Sequence, residues 1–312
     1  MKTPPRLAYV AWIAICVIWG TTYLAIRIGL DALPPALMGG VRWTVASVLL
    51  SLVVIAKGER LPGPDSWRDL AVQGVLMLGF GNGCVNWAEQ YVPSGLAAVI
   101  IATAPFFMAG VEALFSDGER LSGMAFCGLV VGFAGILVLL WPDLGFRNAA
   151  DIHFLGGVAA LQVACLGWAI GSSYSKRHRH PGQSVLGQTA VQMMTGGLIM
   201  FAVGTLSGEW SRVQYSGHGV AAIAYLILVG SLGGFVSYVY ALKHLPVTLV
   251  SLYAYVNPLI AVILGAATLG EPFGVRTLVA MAIVFAGIAL VHAPPRASAR
   301  LAPVIRARHE AQ

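Results

Sequence analysis

A stretch of this chain occurs twice. Residues 91–141 recur in recognisable form at 244–294, and Trp19, which follows Cys16 by three positions, has a counterpart in Trp168 behind Cys165. A duplication of this length in an apolar chain is typical of transporters built from two repeats, whose binding site lies where the repeats meet. The duplication therefore predicts both an architecture and the place of a site.

The composition indicates a membrane protein. Hydrophobic residues make up 58% of the 312 residues and charged residues only 10%, whereas charged residues are about a quarter of a soluble domain. Apolar runs of about 20 residues recur, and each is long enough as a helix to cross about 30 Å of hydrocarbon. Ten transmembrane helices are predicted, at residues 7–26, 35–56, 69–89, 94–115, 122–141, 152–174, 184–206, 217–242, 247–268 and 273–292. The fold class predicted is an all-α integral membrane protein.

Five helices in each half is an odd number, so the second half must enter the membrane from the side opposite to the first. The halves are therefore predicted to be inverted repeats, residues 7–141 and 152–292, followed by a basic cytoplasmic tail at 293–312. Inverted halves enclose a site near the midplane, and rocking of one half against the other alternates access to it.

The 19 Lys and Arg residues are distributed unequally among the loops. With the N-terminus placed inside, most of them are cytoplasmic, and those left outside are Arg27, Arg147, Arg212 and Arg276. The positive-inside rule then predicts that both termini are cytoplasmic, in an inner (plasma) membrane. The net charge of +6 is explained in this way without a nucleic-acid partner.

Polar and aromatic side chains occur at membrane depth. Asn82 and Asn86 lie one turn apart on one face of helix three, and Asn257 lies just before Pro258 in helix nine. Polar groups inside a membrane face protein or water, where they bond either a substrate or a neighbouring helix. The helix-interior prolines Pro105 and Pro258 each remove a backbone donor, which either opens a cavity wall or only shapes packing.

Two ionisable groups stand out in the predicted helices. Arg42 lies about two turns inside helix two, where a charge costs roughly 3 kcal/mol on insertion scales, so it either snorkels outward or pairs. Snorkelling is the interpretation favoured here. Glu112, in the last turn of helix four, is the candidate site of proton coupling or of pairing with a cationic substrate.

Other function classes lack sequence support. The four cysteines are scattered singly without C-x-x-C spacing, which predicts neither a disulfide framework nor a metal site. The motifs H-E-x-x-H and G-x-S-x-G are absent from the sequence. A membrane-embedded enzyme or a non-transporting sensor or scaffold stays open as an alternative. We expect no cofactor, a small-molecule substrate, the lipid bilayer as surroundings, and a monomer or homodimer.

Several segments together resemble a known family. They are WGTTYLAIR at 19–27, GNGCVNWAEQ at 81–90, VPSGLAAVIIATAP at 92–105 and AYVNPLIAVILG at 254–265. The chain is similar over residues 7–292 to the EamA family of the drug/metabolite transporter superfamily, in its YedA-like exporter branch. The resemblance implies two EamA repeats, a cavity lined by helices one, three, four, six, eight and nine, and export of small metabolites such as amino acids or related compounds.

The residues and the resemblance together define the candidate cavity. Its predicted lining is Trp19, Tyr23, Asn82, Asn86, Thr103, Pro105, Trp168, Tyr238, Tyr253, Tyr255, Asn257 and Pro258. The repeats differ where Phe235 takes the place of Asn82 and Gly265 that of Glu112. Positions that the repeats share are expected to build the transporter, and positions that differ are expected to select its cargo.

Overall fold

Ten helices follow one another in the computed structural model, which describes residues 5–118, 121–140, 151–269 and 274–292. They are α1 Arg6–Gly29, α2 Pro35–Ala56, α3 64–88, α4 94–113, α5 Gly123–Leu140, α6 Ile152–Arg177, α7 Val185–Leu206, α8 Gly217–His244, α9 247–269 and α10 Val275–His292. Within the described ranges, six helices are long and apolar enough to cross a membrane. The all-α, ten-helix prediction is confirmed, and the predicted tail at 293–312 lies outside the described residues.

Prolines and polar side chains cap the helix ends. Pro35 and Pro64 occupy the first positions of α2 and α3, where the missing N–H of proline has no helical partner to lose. The Ser184 and Ser216 hydroxyls accept hydrogen bonds from N–H groups at the starts of α7 and α8. The Glu209 carboxylate accepts two bonds, of 3.0 and 2.8 Å, from N–H groups in the first turn of α2. Donors that would be costly without a partner are thereby satisfied.

A π-helical stretch lies at the same place in both halves. It runs over Val75–Asn82 in α3 and over Leu226–Phe235 in α8. Such wide turns are rare and frequently occur at functional sites. Both stretches end at the pair of positions where the repeats differ, Asn82 and Phe235.

The fourth helix of each half is broken into two segments. The segments are Ser94–Ile101 and Ala104–Ala113 in α4, and Val247–Ser251 and Tyr253–Leu269 in α9. The prediction of Pro105 in a helix interior is wrong, because Pro105 lies in the first turn after the break. The Thr103 hydroxyl donates to a carbonyl one turn back within the break, at 2.7 Å. Pro258 lies inside α9, as predicted.

The packing of helices is the same when the two halves are exchanged. The α2 helix packs along α7, and α5 packs along α10. The α1 helix contacts α8 and α9, just as α6 contacts α3 and α4. The structure therefore consists of two five-helix repeats that enclose a shared centre, while the exact bounds at 7–141 and 152–292 stay a prediction.

Candidate functional site

A cavity lies where the repeats meet. Its volume is about 70 Å³, below the range of about 300 to 1,000 Å³ usual for small-molecule sites. Its walls come from α1, α2, α3, α4, α6 and α9. The predicted set of lining helices is thus corrected. The α2 helix, which was not predicted to line the cavity, does so, and α8, which was predicted to line it, lies behind it.

The predicted site residues divide into two groups. Those that line the cavity are Trp19, Tyr23, Asn82, Trp168, Tyr253 and Asn257. Those outside its lining are Asn86, Thr103, Pro105, Tyr238, Tyr255 and Pro258. Each proline is nevertheless preceded by a lining residue, Ala104 or Asn257, so the prolines shape the wall through their neighbours.

Trp19 is the centre of an aromatic cluster. Its ring meets Trp168, its counterpart in the other repeat, edge to face at 5.5 Å. It also packs on Tyr253 at 4.9 Å and on Tyr238 at 5.3 Å between ring centroids. The Trp19 indole N–H donates to the carbonyl oxygen of Gly230 at 3.1 Å. Four rings from α1, α6, α8 and α9 thus make a rigid apolar surface at the junction of the repeats.

Tyr238 and Tyr255 support this surface from behind. The Tyr238 side chain is fully buried, and its hydroxyl lies 2.5 Å from the Ser172 hydroxyl. The Tyr255 hydroxyl donates to the carbonyl oxygen of Leu129 in α5 at 2.9 Å. Both tyrosines therefore fasten helices together, and their roles differ from the substrate contact predicted for them.

The two asparagines of α3 share one face, as predicted, and that face meets α2. Asn82 Oδ1 accepts a hydrogen bond of 2.9 Å from the Trp43 indole N–H. Asn86 Nδ2 donates to the carbonyl oxygen of Pro35 at 3.2 Å and is fully buried. Phe235 approaches the same Trp43 ring, with centroids 5.5 Å apart. Asn82 and Phe235, one of the two pairs of positions that differ between the repeats, therefore converge on one tryptophan.

Asn257 joins α9 to α1. With its amide oriented to donate, Nδ2 lies 3.0 Å from the Cys16 carbonyl oxygen and 2.9 Å from that of Tyr253. Asn257 and Asn82 are accordingly the amides that the cavity presents to a solute.

Arg42 does not snorkel, which corrects the favoured interpretation. The residue is 2% exposed and lines the cavity. Its Nε donates to the Ser231 hydroxyl at 2.8 Å, and its guanidinium carbon lies 4.4 Å from the centroid of the Trp43 ring. Its partner is 189 positions away, so the charge at membrane depth was the only local signal for a buried role.

Glu112 lies outside the cavity lining and forms an ion pair. Its Oε1 is 2.9 Å from Arg177 Nη1 at the end of α6, and Ser173 donates to the same oxygen at 2.7 Å. Arg177 also reaches Asp117 at 3.2 Å. The proton-coupling role of Glu112 stays a prediction, in which a proton would compete with Arg177.

Glu89 was not selected from the sequence. It follows the last turn of α3 and is fully buried. The guanidinium groups of Arg27 and Arg42 both act electrostatically on its carboxylate. A glutamate near a helix end resembles an interfacial residue, and only the tertiary structure distinguishes the two cases.

The family match and the relatives of this chain all point to transporters. Residues 6–141 and 155–293 match the EamA-like transporter family. The inner membrane transporter YedA of Escherichia coli (strain K12) is 34% identical over 282 residues, which cover 90% of this chain and 89% of YedA. The transporter YvbV of Bacillus subtilis (strain 168) is 25% identical, with 95% of each chain covered.

Two further likenesses extend the comparison. A Streptantibioticus cattleyicolor protein named as a probable terminal-alkyne amino-acid exporter is 28% identical, and the match covers 92% of this chain and 94% of that protein. A solved crystal structure superposes with a TM-score of 0.74 at 21% identity, over 91% of this chain and 96% of the other. At that identity the superposition supports the fold alone.

Proposed function

The chain belongs to the EamA-like transporter family of the drug/metabolite transporter superfamily, and we propose that it exports small metabolites by alternating access. Its relatives are membrane transporters, and the chain is accordingly a multi-pass membrane transporter. The finer proposal is a secondary transporter of amino acids or related compounds that works from an inner membrane with both termini cytoplasmic.

The observation that carries this proposal is the position of the cavity. Its walls include Trp19 from one repeat and Trp168, the equivalent residue, from the other. Rocking of one repeat against the other would change which side of the membrane the cavity faces while its central groups stay in place. The apolar walls with a few amides suit a small organic solute.

The direction and the substrate class rest on a relative and on charge. The Streptantibioticus cattleyicolor relative, named as a probable terminal-alkyne amino-acid exporter, matches over 92% of this chain, which supports export of an amino acid or a related compound. The uneven distribution of Lys and Arg supports cytoplasmic termini.

A transport screen with a matched variant tests the proposal. Purified protein in liposomes is offered a pool of radiolabelled metabolites, and the solutes that move are followed singly. The double variant Asn82→Ala with Asn257→Ala removes both cavity amides, and we expect its rate to fall by roughly 30-fold, since each of the two lost hydrogen bonds costs about 1 kcal/mol.

Gln90→Ala is the control for this screen. Gln90 carries an amide that bonds only within its own turn, to the Trp87 carbonyl oxygen, at an exposed position. Its rate should equal that of the wild type. Transport by the double variant at the wild-type rate, with the protein folded, would place the site elsewhere.

A further inference from the structure

Arg42 keeps hydrogen-bonding capacity on the cavity wall. Its Nε is occupied by Ser231, and one face of the guanidinium covers Trp43. Its Nη1 is buried and has no hydrogen-bond partner among the residues that the structure describes. The edge of the guanidinium fork formed by Nη1 and Nη2 is the edge that binds planar oxyanions in two parallel bonds.

Glu89 is a buried carboxylate near Arg42 that does not hydrogen-bond to its guanidinium group. Neither of its carboxylate oxygens has a hydrogen-bond partner in the described ranges, although both are buried. Arg27 Nη1 donates a hydrogen bond of 2.5 Å to the backbone oxygen of Glu89 and not to its carboxylate. In addition to Arg27 and Arg42, the Tyr23 side chain of α1 lies in electrostatic range of Glu89. The buried Glu89 carboxylate therefore lies in electrostatic range of the buried Arg42 and of Arg27, whose side chain is exposed.

Arg42 Nη2 adjoins the aromatic cluster at Gly230. A Cβ atom at that glycine would lie only 3.0 Å from Arg42 Nη2, and the Gly230 carbonyl oxygen accepts the Trp19 indole N–H. The Arg42 guanidinium and the Trp19 ring thus both contact α8 at Gly230. A solute that spans them needs an anionic end and an apolar body.

We propose that the cavity binds a carboxylate-bearing solute, with the carboxylate on Arg42 and the apolar body against Trp19 and Trp168. The proposal rests on the transport function proposed above and names the chemical class of the solute. The incoming carboxylate supplies the hydrogen bonds that Arg42 Nη1 lacks. Glu89 is the intramolecular competitor for the same cation.

Binding of matched acids and amides to the purified protein tests the proposal. The probes are phenylacetate, 3-phenylpropanoate and 4-phenylbutanoate, each paired with its primary amide, and binding is followed by tryptophan fluorescence and by the shift in melting temperature. We expect at least one acid to bind roughly tenfold tighter than its amide, as a charge-assisted pair would give. Arg42→Gln should abolish that preference, and Arg42→Lys, which keeps the charge without the fork, should reduce it.

Glu89→Gln supplies a readout that misfolding cannot imitate. Removing the competing carboxylate should strengthen binding of the acid while leaving the amide unchanged. Equal binding of every acid and its amide by the wild type, an unchanged preference in Arg42→Gln, or weaker acid binding in Glu89→Gln would each overturn the proposal. Preferential acid binding with no solute moved in liposomes would instead refute the transport function and leave the carboxylate site standing.

Discussion

Replacing Arg177 by methionine is expected to lower the free energy of unfolding by about 3 kcal/mol, because hydrogen bonds to charged groups are among the stronger ones. Arg177 Nη1 bonds to Glu112 Oε1 at 2.9 Å, and only 1% of the Glu112 side chain is exposed. Arg177 Nε also bonds to Asp117 at 3.2 Å. The ion pair fastens the end of α6 to the end of α4, so its loss should be seen as a lower melting temperature in detergent.

A double-mutant cycle separates this pair from its surroundings. Glu112→Gln should cost less than Arg177→Met, because the glutamine oxygen still accepts from Ser173. The double variant should cost less than the sum of the two single variants, with a coupling energy of roughly 2 kcal/mol. Additive losses would show that the ion pair contributes nothing specific. The Glu112→Gln protein, assayed with and without a pH gradient, tests the predicted coupling role as well.

Gly287→Ala is expected to lower stability by about 2 to 3 kcal/mol, the cost of overpacking a close contact. A Cβ atom at Gly287 in α10 would lie 2.4 Å from the backbone nitrogen and 2.6 Å from the Cα atom of Gly132 in α5. Backbone atoms cannot rotate away as a side chain would, so the two helices must separate. Close approach through small residues is the usual source of helix association in membranes.

Gly110→Ala is the matched control for this substitution. Gly110 is also helical, in α4, but a Cβ atom there meets nothing within 4 Å. Its melting temperature should be equal or slightly higher, since alanine favours a helix over glycine by up to about 1 kcal/mol. Equal melting temperatures for both alanine variants would contradict the close packing of α5 on α10.

Much of the architecture could be predicted because it depends on repetition and hydropathy, which are local in sequence. The repeat of Trp19 as Trp168 predicted two halves, and in the structure these two rings touch. The breaks and the π-helical stretches could not be predicted. They depend on how neighbouring helices pack, and Pro105, the local signal, proved to lie in the first helical turn after the break in α4.

The candidate site was predicted less completely. Residue type identified amides and rings at membrane depth, but the face that each presents depends on how the helices pack. Tyr255 was therefore placed in the cavity, whereas its hydroxyl bonds to α5. Arg42 was expected to snorkel outward because its partner Ser231 comes from the other repeat.

The central claim is that one cavity between the repeats opens to each side of the membrane in turn. Cysteine accessibility tests it without knowledge of the solute. In a background freed of the native cysteines, Ala104→Cys places a thiol on the cavity wall. His178→Cys places an exposed thiol before the start of α7, and Thr205→Cys places an exposed thiol in its last turn. The two ends of a helix of this length are about 30 Å apart.

A membrane-impermeant thiol reagent is applied to right-side-out and to everted vesicles. The His178→Cys and Thr205→Cys proteins should each react in one vesicle orientation only, and in opposite ones. The account predicts that the Ala104→Cys protein reacts in both orientations. Reaction of the Ala104→Cys protein from a single side under all conditions, with both controls behaving as stated, would contradict alternating access through this cavity.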